Sequence, residues 1–189
     1  RAVGEGHQSS LVFRTGVVDA GLGCSWDEAP PQSTAGLATG NPTYDRDLFG
    51  RKLTEAGIVG EGVAGVLAGL QPNFSRADLE AALAGSGPLD ARALAGLRWL
   101  ADSNYEVVFP AETGLGERVL VPQSANDRNG IEDARFVRVD DDGVVTYYAT
   151  YAAYSGTAVL PQLIMTDDFR RFRICTLNGP AACGKGMAL

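Results

Sequence analysis

The residues best suited to chemistry lie together in Asn129-Gly130-Ile131-Glu132-Asp133-Ala134-Arg135-Phe136. Two carboxylates and a guanidinium follow a glycine-containing loop and open an apolar, alternating run, a place where a rigid scaffold commonly presents binding groups. In extended backbone Asp133 and Arg135 are expected on one face and Glu132 on the other. Alone, such charges make an ordinary surface ion pair of small energetic consequence. Their company changes the reading, because Tyr147, Tyr148, Tyr151 and Tyr154 follow on the next expected strand with Thr150 and Ser155 among them. Aromatic faces, hydroxyls and carboxylates together are how a protein holds a sugar, with ring C–H groups against the aromatics and polar groups for each hydroxyl.

The other motifs favour plainer readings. Gly60, Gly62 and Gly65 spell G-x-G-x-x-G, yet only Ile58 and Val59 precede them as strand and Glu61 sets a negative charge where a pyrophosphate would sit, so a flexible or closely packed helix start is favoured. Gly179 to Lys185 has the P-loop spacing, but Gly186 replaces the hydroxyl residue that would reach magnesium and Pro180 removes a backbone donor. Lys185 remains a candidate for an anion or a sugar hydroxyl. Asp140-Asp141-Asp142-Gly143 lacks the alternating ligands and terminal glutamate of a calcium loop and reads as a hairpin turn. His7 is the single histidine, a candidate ligand-contacting group whose bland alternative is a hydrogen-bonded structural residue. Neither a metal nor a cofactor is expected.

Composition bounds these readings. With 189 residues, 45% of them hydrophobic and 21% charged, the chain can build a core and suits one domain or a piece of a larger one. A net charge of -7 leaves no basic field for a phosphate backbone, so nucleic acid is not an expected partner. Cys24, Cys175 and Cys183 form an odd set without C-x-x-C spacing, which fits a reducing, cytoplasmic setting. The uncharged run from Gly143 to Thr166 has the length of a membrane span, but its Pro161, Gln162, Gly156 and repeated Thr and Tyr read as strands and turns, so no membrane role is expected. Arg1 at the start and the apolar Met187-Ala188-Leu189 at the end suggest a chain cut from a longer one.

The elements that must position the candidate residues fall into three parts. Residues 1–43 are expected to hold one strand, Ser9 to Asp19, followed by a loop from Cys24 to Asn41 rich in Pro, Ser, Thr and Gly. Residues 44–103 read as a helical insertion, with Leu48, Phe49 and Leu53 on one helix face, Ser75 and Asp78 in a capping box, and Asp90 capping a helix whose stripe is Leu94, Leu97, Trp99 and Leu100. From residue 104 to 189 the period becomes two, and six strands are expected: Tyr105–Pro110, Glu117–Pro122, Ala134–Asp140, Gly143–Tyr151, Ala158–Met165 and Arg171–Leu177. The last four form a meander that suits either a propeller blade or half a sandwich.

The segments NGIEDARFVRV, TYYATYAAYS, LPQLIMTDDFRRFRI and GKGMAL, together with the opening GEGHQSSLVFRTG, resemble glycoside hydrolase family 130, the β-mannoside phosphorylases and hydrolases. The resemblance implies a mainly β fold that is part of a five-bladed β-propeller, about two blades of it here, with the helical unit as an insertion. It implies a glycosidase or glycoside phosphorylase of carbohydrate metabolism that cleaves β-mannosides with inversion, taking phosphate or water as nucleophile. By the same resemblance Asp133 falls on the catalytic acid, Arg135 on the neighbouring sugar- or anion-contacting arginine and Lys185 on the anion site. Asn129, Tyr151, Tyr154 and His7 are candidate sugar contacts from their own residue types. The sequence departs from the family pattern at Ala134, where proline is usual, and at Ala152, where threonine is frequent. The competing class is a non-catalytic glycan-binding or interaction propeller. Expected partners are an oligosaccharide or small sugar and inorganic phosphate, and homo-oligomer formation is left open. Exposed blade faces would leave the isolated chain inactive and prone to self-association.

Overall fold

The computed structural model describes residues 8–28, 30, 34–40 and 43–184. Among the described residues strand accounts for 37% and helix for 25%, so the fold is mainly β with a helical unit inserted. The N-terminal part is more broken than the sequence suggested. Instead of one strand over Ser9 to Asp19 there are two, β1 (Leu11–Val12) and β2 (Gly16–Val18), in different sheets. Phe13 turns its ring into the core between them, while β2 pairs with β3 (Cys24–Trp26) in an exposed hairpin. Gly16 permits that pairing, since a Cβ there would strike the carbonyl oxygen of Ser25. The expected loop over Cys24 to Asn41 also contributes β4 (Thr34–Ala35) and β5 (Leu37–Gly40).

The helical unit comprises β6 (Tyr44–Asp45), α1 (Arg46–Glu55), α2 (Glu61–Ala68), β7 (Asn73–Phe74), α3 (Arg76–Gly85) and α4 (Ala91–Asp102). Its helix starts follow from side-chain capping of the orphan N–H groups. Asp45 accepts from Leu48 N at 2.9 Å, Asp90 accepts from Ala93 N at 2.7 Å, and Ser75 and Asp78 form the reciprocal capping box. Gly60, the first glycine of the G-x-G-x-x-G run, is the N-cap of α2 with φ 147, a conformation that side-chain-bearing residues avoid. The apolar faces close on a core of their own, with Phe49, Leu53, Val66, Phe74, Leu97 and Leu100 buried.

Beyond it lie β8 (Tyr105–Val108), β9 (Arg118–Leu120), β10 (Gly130–Asp141), β11 (Val144–Tyr154), β12 (Val159–Thr166) and β13 (Arg171–Thr176). The last four form an antiparallel meander that β8 and β5 extend into a six-stranded sheet of order β10-β11-β12-β13-β8-β5. No closed barrel or propeller ring is formed among the described residues. The β10–β11 turn is set by Asp142 and Gly143, both left-handed at φ 49 and 86, with Asp140 accepting from Gly143 N at 3.0 Å. Two central residues with positive φ match the right-handed twist of the flanking strands. A three-stranded sheet, β1-β9-β4, covers one face of the large sheet. Phe13 stacks on Phe172 at 5.5 Å and Phe109 meets the same ring edge-on at 5.8 Å, an arrangement that aromatic quadrupoles favour.

The two apolar cores are separate clusters, and what joins them is largely polar. Lys52 on α1 donates to Leu177 O at 2.6 Å, Asn178 donates to Leu48 O at 2.8 Å, and Asn104 accepts from Thr176 N at 3.0 Å while donating to Leu100 O at 2.7 Å. Gly36, between β4 and β5, is where the small sheet bends onto the core: a Cβ there would collide with the Val107 side chain and press on the Phe109 ring, whereas one at Gly40 would meet nothing within 4 Å. Gly36→Ala is therefore expected to cost about 1 to 3 kcal/mol in urea unfolding, with Gly40→Ala near neutral.

Candidate functional site

The segment singled out in the sequence is organised by Asp127, which lies just before it and is 0% exposed. Its Oδ1 accepts from Gln123 N at 3.0 Å, Ser124 N at 2.7 Å and Ser124 Oγ at 3.0 Å. Its Oδ2 accepts from the Tyr105 hydroxyl at 2.7 Å and lies 3.3 Å from that of Tyr151. Among the described residues no cation forms an ion pair with this carboxylate. Burial pushes the pKa of both tyrosines up, with the Asp127 charge adding to it, so both hydroxyls stay protonated and available as donors. Beyond Tyr151 the chain of bonds continues to Gln162 Oε1 at 2.9 Å, from Gln162 Nε2 to Ser103 O at 2.9 Å, and through Asn126 to Ser103 Oγ and Trp99 Nε1, each at 2.7 Å.

Past Asp127 the chain is pinned by backbone contacts. Gly130 N donates to Asp127 O at 2.8 Å, Asn129 N donates to Tyr154 O at 2.9 Å, and Gly130 lies so close to Ser9 that a Cβ would strike its hydroxyl. The β10–β11 ladder then slips: Glu132 pairs with Ala152 and Arg135 with Thr150, so Asp133 and Ala134 together oppose Tyr151. This is a β-bulge, and its first residue, Asp133, adopts φ 55. Aspartate is one of the few residues with a Cβ that tolerates this region.

The bulge corrects the expected alternation. Because directly paired residues share a face, Glu132 and Arg135 now lie on the same face, with Ala152 and Thr150, and Asp133 leaves the alternation to sit exposed at the kink. Ala134 packs against the core. Tyr151 is likewise corrected as a sugar platform: at 3% exposure its ring belongs to the core and its hydroxyl to the Asp127 network. Tyr147 also turns to the core side, against Phe169 at 4.6 Å, whereas Tyr148 lies on the opposite face. Asn129 and Tyr154 are neighbours across the strand ends, half-buried, with the Tyr154 hydroxyl donating to Gly156 O at 2.9 Å. His7 and Lys185 lie outside the described residues. In the P-loop-like segment, the Gly179 N–H donates to Glu55 Oε1 at 2.6 Å, a bond that holds the Glu55 carboxyl below its usual range and places an anion of the chain itself where a phosphate would have to bind.

The face opposite the core carries two adjacent clefts. The larger, of about 510 Å³, lies between the helical unit and the sheet, with Leu48, Phe49 and Asn73 on one side and Leu163, Met165 and Cys175 on the other. The smaller, of about 290 Å³, is lined by Thr146, Tyr148, Asp167, Arg171 and Glu106. Met165 and Arg173 line both. Glu106 was not foreseen: 4% exposed in the middle of an apolar strand, it is held by Arg171 Nη1 and Arg173 Nε, each at 3.3 Å. Burial pushes the Cys175 thiol up to about 11, so it sits in the larger cleft as a neutral group. Among the described residues no group of three or more His, Cys, Asp or Glu is placed to hold a metal ion.

No family model matches the chain, and neither the curated proteins nor the solved structures contain a match to it.

Two measurements follow from this geometry. Asp127→Ala strands the Tyr105 hydroxyl and two backbone N–H groups, and is expected to lower unfolding stability by about 2 to 4 kcal/mol, against about 1 to 2 kcal/mol for Tyr105→Phe. In iodoacetamide labelling read by peptide mass, the exposed Cys24 and Cys183 are expected to react first at pH 7.5. Cys175 lags, and its rate is still climbing at pH 9 because the thiolate fraction grows until the pH approaches about 11.

Proposed function

We propose that this chain belongs to an inverting carbohydrate-active enzyme that cleaves β-mannosides, with phosphate or water as nucleophile, and that β10–β13 form one blade of a five-bladed propeller. The observation that carries this reading is the bulge at Asp133. A general acid has to project from a rigid scaffold toward the glycosidic oxygen, and a kink that lifts one carboxylate out of the ladder while Glu132 and Arg135 on either side stay paired does that. The four-stranded antiparallel meander behind it has the strand count and connectivity of a propeller blade.

In this reading Asp133 supplies the proton, directly or through a substrate hydroxyl. Arg135, placed by the bulge on the same face as Glu132, binds the sugar or the attacking anion. Asn129 and Tyr154 contact the sugar at the adjoining strand ends. His7 remains a candidate sugar contact, and Lys185 keeps the anion role that the sequence resemblance implies. Inversion places the acid and the attacking group on opposite sides of the bond, so the nucleophile enters across the sugar from Asp133.

The complete open reading frame, incubated with β-1,2- and β-1,4-mannobiose with and without phosphate, is expected to release mannose or mannose 1-phosphate. Asp133→Asn is expected to lower kcat by about 10² to 10⁴-fold with an unchanged melting temperature, because asparagine also tolerates left-handed backbone. Near-normal turnover in that variant removes Asp133 from the mechanism. Calorimetric binding of mannobiose with no sugar release favours a glycan-binding module instead.

A further inference from the structure

The clefts on the face opposite the core are adjacent, sharing Met165 and Arg173 in their walls, yet differ in chemistry. One row across the sheet runs Val137, Tyr148, Met165, Arg173, Glu106 and Thr39, each residue paired with the next, so all six side chains share this face. Arg171, two residues before Arg173, adds a second guanidinium to it. Both arginines are more than half exposed, at 62% and 52%, over a glutamate whose side chain is 5% exposed. Two cations thus share one anion in a chain whose net charge is -7. The bonds to Glu106 use Nη1 of Arg171 and Nε of Arg173, which fixes each guanidinium, and among the described residues its other edge is left for a ligand. The Tyr148 hydroxyl and Thr146 complete a polar chamber.

On the other side of Arg173 the larger cleft is apolar, floored by Leu163 and Met165 and walled by Leu48 and Leu177. It lies at the seam between two cores, a position that ligand pockets prefer, and its volume is that of a small-molecule site. Its polar groups are largely engaged within the chain: Asp45 caps α1, Asn178 donates to Leu48 O, and both ends of the Asn104 amide are bonded. Cys175 is a neutral thiol there. A wholly polar ligand would leave this chamber unmatched, and a wholly apolar one would leave the arginine edges unmatched.

We propose that the adjacent clefts together bind a small organic anion that reaches past Met165 and Arg173, with a carboxylate or phosphate monoester head between Arg171 and Arg173 and an apolar tail or ring in the chamber of Leu163, Met165 and Leu177. Asp167, exposed on the rim of the head chamber, opposes the anion. Replacing it therefore strengthens binding, a direction opposite to that of the arginine substitutions. The site is separate from the bulge at Asp133 and stands whether or not the chain cleaves mannosides.

Titration calorimetry with octanoate and with octyl phosphate, below their micelle concentrations, tests this, with octanol and inorganic phosphate as half-ligands. One site per chain is expected, each half-ligand binding about tenfold or more weaker than the anion containing it, and the tighter anion identifies the head group. Arg173→Gln is expected to weaken binding about tenfold and Asp167→Asn to strengthen it. Because Arg173→Gln removes a partner of a buried glutamate and can unfold the chain, the unsubstituted protein supplies a second readout. Saturating octanoate is expected to slow alkylation of Cys175 about tenfold while leaving Cys24 unchanged. Octanol binding as tightly as octanoate, or Cys175 labelling unaffected by bound octanoate, overturns the proposal.

Discussion

A carboxylate removed from water and, among the described residues, given no cation is the constraint around which the molecule is arranged. Left bare in the interior, an ionised Asp127 would cost more than a small domain can spare. Four donors surround it instead, from the loop at Gln123 and Ser124 and from β8 through Tyr105, with the Tyr151 hydroxyl of β11 placed 3.3 Å away. Each donor has to come from a fixed place in the fold, so satisfying the charge specifies the relative positions of three stretches that are far apart in sequence. Through Gln162 the same network reaches Ser103 at the end of α4, and through Asn126 it reaches Trp99. The helical unit and the sheet keep separate apolar cores, and hydrophobic packing, being non-directional, would not fix their orientation.

The same carboxylate governs where β10 departs from its ladder. Tyr151 is the one residue opposite the bulge, and its hydroxyl is held by the Asp127 network. Strand β11 is therefore anchored at the point where its partner carries an extra residue, and the kink falls at Asp133 rather than sliding along the strand. The groups that hold this geometry are all in the interior, while the group presented to solvent is the one with the unusual backbone.

How much of this was legible in the sequence depended on the range of the interactions involved. The helix starts at Asp45, Ser75 and Asp90 are set by contacts three residues away, and the β10–β11 turn by its own Asp and Gly, so local patterns disclosed them. The strands after residue 104 announced themselves by alternation. Tyr151 was misread because its hydroxyl finds a partner 24 residues away, and a tyrosine in an alternating run looks the same whether that partner is a carboxylate of the chain or a sugar. The same-face placement of Asp133 and Arg135 failed because a bulge depends on the partner strand, which alternation within one strand does not register. Glu106 carried a faint signal, a charge inside Tyr105-Glu106-Val107-Val108, but its two arginines lie 65 and 67 residues further on. At the N-terminus, strands of two to four residues held by β8 and β9 leave almost no periodic trace.

The polar seam between helices and sheet has a mechanical character that the two oily cores lack. Van der Waals contact between side chains weakens gradually as surfaces slide, whereas hydrogen bonds of the Lys52–Leu177, Asn178–Leu48 and Asn104–Thr176 kind fail within a fraction of an ångström and a few tens of degrees. Such a joint yields little under a small load and then releases several contacts together. The helical unit is fastened to the sheet as by a latch, stiff until it opens, and the larger cleft runs along the line on which it would part.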